Sequence, residues 1–288
     1  MIKGIEEMWM LLVLVYGLLK GAREIVKKKC LERSSVMEVL FFYTLTGFLF
    51  LIPETGKALT VDTGMLPQIF LKSFIIFLAW MFSFMAIREM PVSFYGVLDL
   101  SRVLFATFLG TTVLGEKLTV FQMIGLPLVL TGLFMLRLTQ GKKAEKEEVK
   151  AKYIVFSVLS CLMNAVSGLL DKIIMKDVTS AQLQFWYMLF LVLLYGAFML
   201  LKRQRIDWQA LKKNYWILIL SVMFIIGDRA LFIANSYPES KLTIMTLIKQ
   251  SSCFVTILLG KLVYKEKNIR RKALCATVIL AGILIALL

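Results

Sequence analysis

The sequence contains no histidine, and it has only four cysteines and five prolines among its 288 residues. The absence of histidine excludes a histidine metal ligand, a catalytic histidine and a histidine pH switch in this chain. The cysteines, Cys30, Cys161, Cys253 and Cys275, stand singly and mostly inside apolar runs, without zinc-site or disulfide spacing. Such thiols usually pack as small apolar groups. We therefore expect no metal site and no cofactor.

Acidic residues are also scarce, because 34 lysines and arginines face only 19 aspartates and glutamates, for a formal net charge of +15. At the same time 59% of the residues are hydrophobic, and the mean hydropathy is +0.79. A soluble domain of this length could not cover so much apolar surface with a polar exterior. Lipid is therefore the expected solvent, and the basic excess indicates membrane orientation and attraction to anionic lipid rather than nucleic-acid binding.

A bilayer core requires about 20 apolar residues per helix, and the chain contains ten runs of roughly this length. They span residues 8–26, 36–52, 68–87, 92–114, 119–136, 153–175, 181–201, 215–235, 242–264 and 269–288. We predict an all-α integral membrane protein with ten transmembrane helices. The most polar stretch, 137–152, separates two sets of five, so we predict a first repeat at 1–138, a polar connector at 139–152 and a second repeat at 153–288.

The stretch 91–136 repeats its sequence pattern 150 positions later, and weaker matches at shifts of 147 and 148, such as Gly21 with Gly168 and Ala86 with Ala234, extend the repeat to the earlier runs. The matching pairs are Gly110 with Gly260, Val113 with Val263, Glu116 with Glu266, Lys117 with Lys267, and Gly132 with Gly282. Because five is odd, the second set must begin on the opposite side of the membrane. We predict inverted repeats, an architecture that places a binding site between the halves near the membrane midplane.

This pattern, a Gly-x-x-x-x-x-Glu-Lys turn followed by an apolar helix with a late glycine, resembles the closing helices of an EamA domain. Two such domains in one chain resemble a ten-helix member of the drug/metabolite transporter superfamily. The resemblance implies a transporter in which the first, third, fourth, sixth, eighth and ninth helices line a central cavity. It also implies that the fifth and tenth helices pack at the periphery.

Charged residues inside apolar runs are the main candidates for a binding site, because a charge at bilayer depth costs several kcal/mol. Asp99 and Arg102 lie three positions apart on one face of a predicted helix, with Tyr95 one turn earlier. Lys249, followed by Gln250, is the repeat counterpart of Asp99. One interpretation is an internal ion cluster that locks the halves together. The other is a cavity in which Arg102 and Lys249 bind a carboxylate or phosphate and Asp99 binds an ammonium group or a coupling proton.

Other charges in the runs carry weaker predictions. Asp228 and Arg229 are adjacent and point about 100° apart, so we expect one of them to face the cavity. Arg23 with Glu24, and Asp171 with Lys172, lie near the ends of runs, where long side chains can reach the lipid headgroups. By the resemblance, Tyr16, Lys20, Trp80 and Asn164 join the substrate-binding candidates, and the candidate proton carriers are Asp99, Glu24 and Asp228.

We predict a secondary transporter that moves a small polar or amphipathic metabolite, amino-acid-like or otherwise anionic or zwitterionic, by alternating access. The chain has no Gly-x-x-x-x-Gly-Lys-Ser/Thr motif, so exchange or proton coupling is expected instead of ATP drive. One alternative is a flippase of the same fold for a lipid or lipid-linked carrier. The less favoured alternative is an integral-membrane transferase; since clustered acids and histidine are absent, we do not expect an enzyme.

The loops after every odd-numbered run together hold most of the lysines and arginines. This distribution predicts a plasma (inner) membrane protein with both termini outside the cytoplasm, whereas the resemblance implies cytoplasmic termini. The expected partners are the small-molecule substrate and membrane lipid. The chain is expected as a monomer or as a homodimer through a face of the fifth helix that holds Gly125 and Gly132.

Overall fold

The computed structural model describes residues 8–140, 149–266 and 269–287, and these residues are helical apart from short turns. The main helices are α1 (Met8–Leu31), α2 (Val36–Leu51), α3 (Leu66–Glu89), α4 (Val92–Asp99), α5 (Arg102–Thr112), α6 (Val120–Gln140), α7 (Ala151–Ile174), α8 (Ser180–Leu201), α9 (Trp216–Asn235), α10 (Leu242–Lys249), α11 (Ser252–Tyr264) and α12 (Ile269–Leu287). The middle of the predicted connector, 141–148, and Lys267 of the repeat motif lie outside the described residues.

Seven helical segments of the described chain are long and apolar enough to cross a membrane, which supports an all-helical, multi-pass integral membrane protein. They are Val36–Ala58, Thr63–Glu89, Val92–Thr112, Ala151–Ile174, Ser180–Leu201, Trp216–Asn235 and Leu242–Tyr264. Helices α1, α6 and α12 do not meet this criterion over their described residues. The number of ten transmembrane helices therefore remains a prediction.

The helix contacts relate the two halves, α1–α6 and α7–α12, by an approximate two-fold symmetry. Helix α1 packs along α9, and the equivalent pair α7 and α3 packs in the same way, while α2 contacts α8 and α6 contacts α12. The local start signals repeat as well. Ser35 and Glu38 form a capping box at the start of α2, and Thr179 and Gln182 form one at the start of α8.

Glycines bring α6 and α12 into close contact. A Cβ atom at Gly125 would collide with the carbonyl oxygen of Gly282, and one at Gly132 would collide with Ile279. Small residues permit this approach where lipid supplies no hydrophobic drive between helices. The glycine face that suggested a homodimer is therefore covered by α12 of the same chain and is not available to a second copy.

Helices α4 and α10 each begin at a glutamate from the opposite half. The Glu116 carboxylate accepts hydrogen bonds from the backbone N–H of Leu242 at 2.7 Å and of Thr243 at 3.2 Å. The Glu266 carboxylate accepts equivalent bonds from Val92 at 2.7 Å and Ser93 at 3.2 Å. A carboxylate at a helix N-terminus satisfies N–H groups that have no partner within the helix and complements the helix dipole. These two glutamate caps join the halves reciprocally.

The predicted runs 92–114 and 242–264 each form two helices instead of one. The first is interrupted between Asp99 and Arg102, and the second between Lys249 and Ser252. In both interruptions the backbone forms tighter i→i+3 bonds, such as Leu100 N–H to the Val97 carbonyl oxygen at 3.2 Å. A short 3₁₀ stretch inside a helix often marks a functional hinge. No proline or glycine stands at either interruption, so composition gave no signal for it.

We predict that Glu116→Gln and Glu266→Gln each destabilise the protein by about 1–3 kcal/mol, because each removes charge-assisted bonds to buried helix-end donors. The measurement is thermal unfolding of the detergent-purified protein. Glu239→Gln, at an exposed glutamate, is the control and should leave the melting temperature unchanged. Equal melting temperatures for all three variants would contradict the role of the caps.

Candidate functional site

Helix α1 supplies most of the charge of a central cavity. Tyr16, Lys20, Arg23, Glu24 and Lys27 follow one another at spacings of three and four residues where adjacent turns of a helix share a face. All five line one central cavity. The rest of the lining comes from α3, α4, α5, α7, α8, α9 and α10. The cavity therefore lies between the two halves, and its walls include the six runs that the resemblance implied.

Asp99 is the centre of a buried ion cluster at the interruption between α4 and α5. Its carboxylate accepts a hydrogen bond from Lys20 and a second one, at 2.8 Å, from Arg102. Lys20 and Arg102 line the cavity, whereas Asp99 does not. The structure thus supports an internal cluster around Asp99, but its second cation is Lys20 from α1 instead of Lys249.

Three further ion pairs bring opposite charges together in the cavity. Lys72 contacts Asp171 at 3.1 Å, Arg23 contacts Asp228 at 3.7 Å, and Lys27 contacts Glu24 at 2.8 Å. The first two pairs join the two halves, since α1 and α3 belong to one half and α7 and α9 to the other. Buried charges require such partners, because an isolated charge in this environment is strongly unfavourable.

Aromatic rings cover the cations of these pairs. The Lys72 ammonium lies 3.8 Å from the centre of the Tyr187 ring, and the Arg23 guanidinium lies 4.9 Å from that of Phe224. Contacts of a cation with an aromatic face are attractive and become stronger when water is excluded. Trp80 packs edge-on against Phe224 at a ring-centroid distance of 4.8 Å. The apolar side of the cavity is therefore built from rings that also stabilise its charges.

The interpretation of Arg23, Glu24 and Asp171 as residues that reach the headgroups was wrong. All three are buried and line the cavity. Arg23 and Glu24 are enclosed because α9 packs against α1, and Asp171 is enclosed because α3 packs against α7. Lys172 lies elsewhere. Its ammonium donates to the carbonyl oxygen of Tyr237 at 2.9 Å and thus binds the turn that follows α9.

Asp228 and Arg229 are adjacent in α9, and their side chains point in different directions, as helix geometry requires. Asp228 lines the cavity. Arg229 instead donates to the carboxylate of Glu54 at 2.6 Å and to the side-chain oxygen of Gln184 at 2.5 Å. Of these two candidates, Asp228 therefore faces the cavity and Arg229 points away from it.

The uncharged candidates mostly reach the cavity. Tyr16, Trp80, Tyr95 and Asn164 line it. The Tyr95 hydroxyl forms a 2.6 Å hydrogen bond with the hydroxyl of Ser83, and the Asn164 amide donates to the carbonyl oxygen of Ser160, one turn earlier in α7, at 2.7 Å. These groups are held in place by neighbours while they face the open space.

Lys249 and Gln250, at the interruption between α10 and α11, differ in their exposure to the cavity. Lys249 lines it, with its ammonium 5.9 Å from the centre of the Tyr16 ring. Gln250 is fully buried and is not part of the lining. Within the described ranges, no three cysteine, aspartate or glutamate side chains come together to hold a metal ion.

Sequence reasoning missed Lys72 and Lys27. Lys72 is a single charge inside the run 68–87, and that isolation was the signal that could have identified it. Lys27 directly follows the predicted run 8–26, so it was not among the charges considered inside the runs. Because α1 continues to Leu31, Lys27 instead occupies the charged face of that helix.

The described structure is thus a multi-pass membrane protein with two similar helical halves around a charged cavity. A model of the EamA-like transporter family matches residues 7–138 and 151–288. The chain belongs to this family, and the resemblance drawn from the sequence is confirmed. No curated protein matches the chain. One crystal structure of a protein has a TM-score of 0.68 and 12% sequence identity, with 96% of each chain covered; at this identity the similarity shows the fold alone.

We predict that Lys72→Met and Asp171→Asn each destabilise the protein by about 3–5 kcal/mol, because each leaves one buried partner of an ion pair without the other. The double variant should lose less free energy of unfolding than the sum of the losses in the two single variants. Thermal unfolding of the four proteins measures this coupling. The more exposed pair of Lys29 with Glu32, at 3.1 Å, is the control, and Lys29→Gln should cost less than about 1 kcal/mol. Additive effects at Lys72 and Asp171 would contradict the pairing.

Proposed function

We propose that the protein is a secondary transporter that carries a small polar or amphipathic solute by alternating access of two inverted halves. The observation that carries this proposal is one cavity with charged walls from both repeats, among them Lys20 and Arg102 from the first and Asp228 and Lys249 from the second.

Membership of the EamA-like transporter family supports transport in general. Alternating access requires that the halves move relative to each other while the site stays between them. The interruptions after Asp99 and Lys249 provide points where α4 and α10 can tilt. The ion pairs of Lys72 with Asp171 and of Arg23 with Asp228 join the halves, so such a movement would alter both pairs.

The proposed roles follow from charge and position. Arg102 and Lys249 bind an anionic group of the solute, and Lys20 holds Asp99 beside them. Tyr95, Trp80, Tyr16, Asn164 and Gln250 are proposed to shape the site. Asp99, Glu24 and Asp228 remain the candidates for a coupling proton, with exchange of two solutes as the other means of drive. Amino-acid-like and other anionic or zwitterionic solutes fit this set of charges.

The expected result for transport is loss of uptake of at least about tenfold in Asp99→Asn and in Lys249→Gln, the equivalent of about 1.4 kcal/mol in transition-state free energy. The solute is first selected by thermal unfolding of the purified protein, because a solute at 100-fold excess over its Kd adds about 2.7 kcal/mol to the free energy of unfolding. Uptake of the most stabilising solute is then measured in proteoliposomes. Lys261→Gln, at an exposed position of α11, is the control. Full uptake by both Asp99→Asn and Lys249→Gln would overturn the proposed site.

The same proteoliposomes distinguish solute transport from the two alternative functions, a lipid flippase and a transferase. Movement of a labelled lipid between leaflets, without uptake of any soluble solute, would favour a flippase. Turnover of a lipid-linked donor by the purified protein would favour a transferase.

We also propose a plasma (inner) membrane location with both termini outside the cytoplasm, because the sequence segments that follow the first, third, fifth, seventh and ninth predicted runs together hold most of the lysines and arginines. A C-terminal alkaline phosphatase fusion is active only outside the cytoplasm, and we expect it to be active. An inactive phosphatase fusion together with a fluorescent C-terminal GFP fusion would reverse the proposed orientation.

A further inference from the structure

The cavity holds more positive than negative charge. Six basic side chains line it, against three acidic ones, Glu24, Asp171 and Asp228. Asp99 adds a fourth carboxylate at its edge through its bonds with Lys20 and Arg102. In the described part of the chain two positive charges are therefore left without a matching carboxylate.

The excess is concentrated at the helix interruptions. Glu24, Asp171 and Asp228 each pair with one cation, whereas Asp99 is shared by Lys20 and Arg102. Lys249 forms no ion pair and no hydrogen bond with any described residue, although its exposed fraction is only 7%. It is the cavity cation for which the described chain provides no carboxylate within contact distance.

The charged groups around Lys249 do not balance its positive charge. Arg102 and Lys20 repel it, and Asp171 and Asp228 attract it. Both of those carboxylates already contact other cations, at 3.1 Å and 3.7 Å. A buried ammonium with positive neighbours and no contacting anion is unfavourable, so an anion that enters the cavity would bind there.

Unused hydrogen-bonding groups lie at the same interruptions. The side-chain amide of Gln250 is buried, and neither its nitrogen nor its oxygen has a partner among the described residues. The Nε atom of Arg102 is buried and equally without a partner. Buried donors without acceptors are rare in folded proteins. A carboxylate or phosphate, with several acceptor sites, is the chemical group that satisfies such donors.

Resting on the proposed function, we infer that the solute is a small organic anion whose carboxylate or phosphate pairs with Lys249 and Arg102, and that it carries no ammonium group. We infer the absence of an ammonium group on the solute because each carboxylate of the cavity already pairs with a cation of the protein. The apolar wall of Ile76, Trp80, Phe224 and Phe232 receives the hydrocarbon part of the solute. This narrows the proposed substrate class from anions and zwitterions to anions.

The ligand-free protein provides the first test. Lys249→Met removes an uncompensated buried charge and should raise the melting temperature. Lys72→Met removes the partner of Asp171 and should lower it. A Lys249→Met variant that melts as early as Lys72→Met would show that Lys249 has a structural partner, and this would overturn the inference.

The second test is thermal stabilisation by benzoate, succinate, phenyl phosphate and benzylamine at constant ionic strength. We expect at least one anion to stabilise the wild type, with a tenfold or greater loss of apparent affinity in Lys249→Met, retention in Lys249→Arg and no change in Lys261→Gln. Benzoate and phenyl phosphate distinguish carboxylate from phosphate recognition. Stabilisation by benzylamine alone, or anion effects that are equal in the wild type and Lys249→Met, would overturn the inference.

Flux measurements distinguish a failure of the anion-site inference from a failure of the proposed transport function. Anion binding that depends on Lys249 but produces no uptake into proteoliposomes would uphold the anion site and overturn transport. Uptake of an amine or a zwitterion that does not depend on Lys249 would uphold transport and overturn the anion site.

Discussion

The reciprocal glutamate caps are the interaction on which the arrangement of the halves depends. A helix whose first residues are buried inside a protein, as Val92 and Leu242 are, has N–H groups that water cannot reach, and each such group left unpaired is costly. Glu116 satisfies those of α10, and Glu266 those of α4. Since each glutamate belongs to the other half, neither half can complete its broken helix alone. The caps fix where α4 and α10 begin, and the opposite ends of these two helices, at Asp99 and Lys249, lie at the cavity.

The charges of the cavity follow from this arrangement. Helix α1 places four charged side chains on one face, and such a face is tolerable inside a membrane protein only where opposite charges meet it. Asp99 and Asp228 meet it from α4 and α9. Cations stacked on aromatic rings add attraction that needs no further carboxylate. Among the described residues, no carboxylate contacts Lys249, and this is the position at which we propose that the anionic group of the solute binds.

Much of this molecule could be predicted from sequence because the relevant signals are local or periodic. Long apolar runs indicated the membrane, a 150-residue shift indicated the repeat, and charges within runs led to Asp99, Arg102, Lys249 and Asp228. The same reasoning could not find the two helix interruptions. They are formed by backbone hydrogen bonds and packing at positions without proline or glycine, so no residue type marks them.

The sequence by itself determined the class of protein, the repeat and the identity of most buried charges, because hydropathy and spacing are properties of neighbouring residues. Only the tertiary structure decided which charges pair. Lys20 meets Asp99 across 79 positions, and Glu266 meets Val92 across 174. Helix packing determines these partners, because an ion pair requires contact within a few ångströms. The spacing of residues in the sequence does not give the distance between side chains on separate helices. The same packing leaves Lys249 without an ion-pair partner among the described residues.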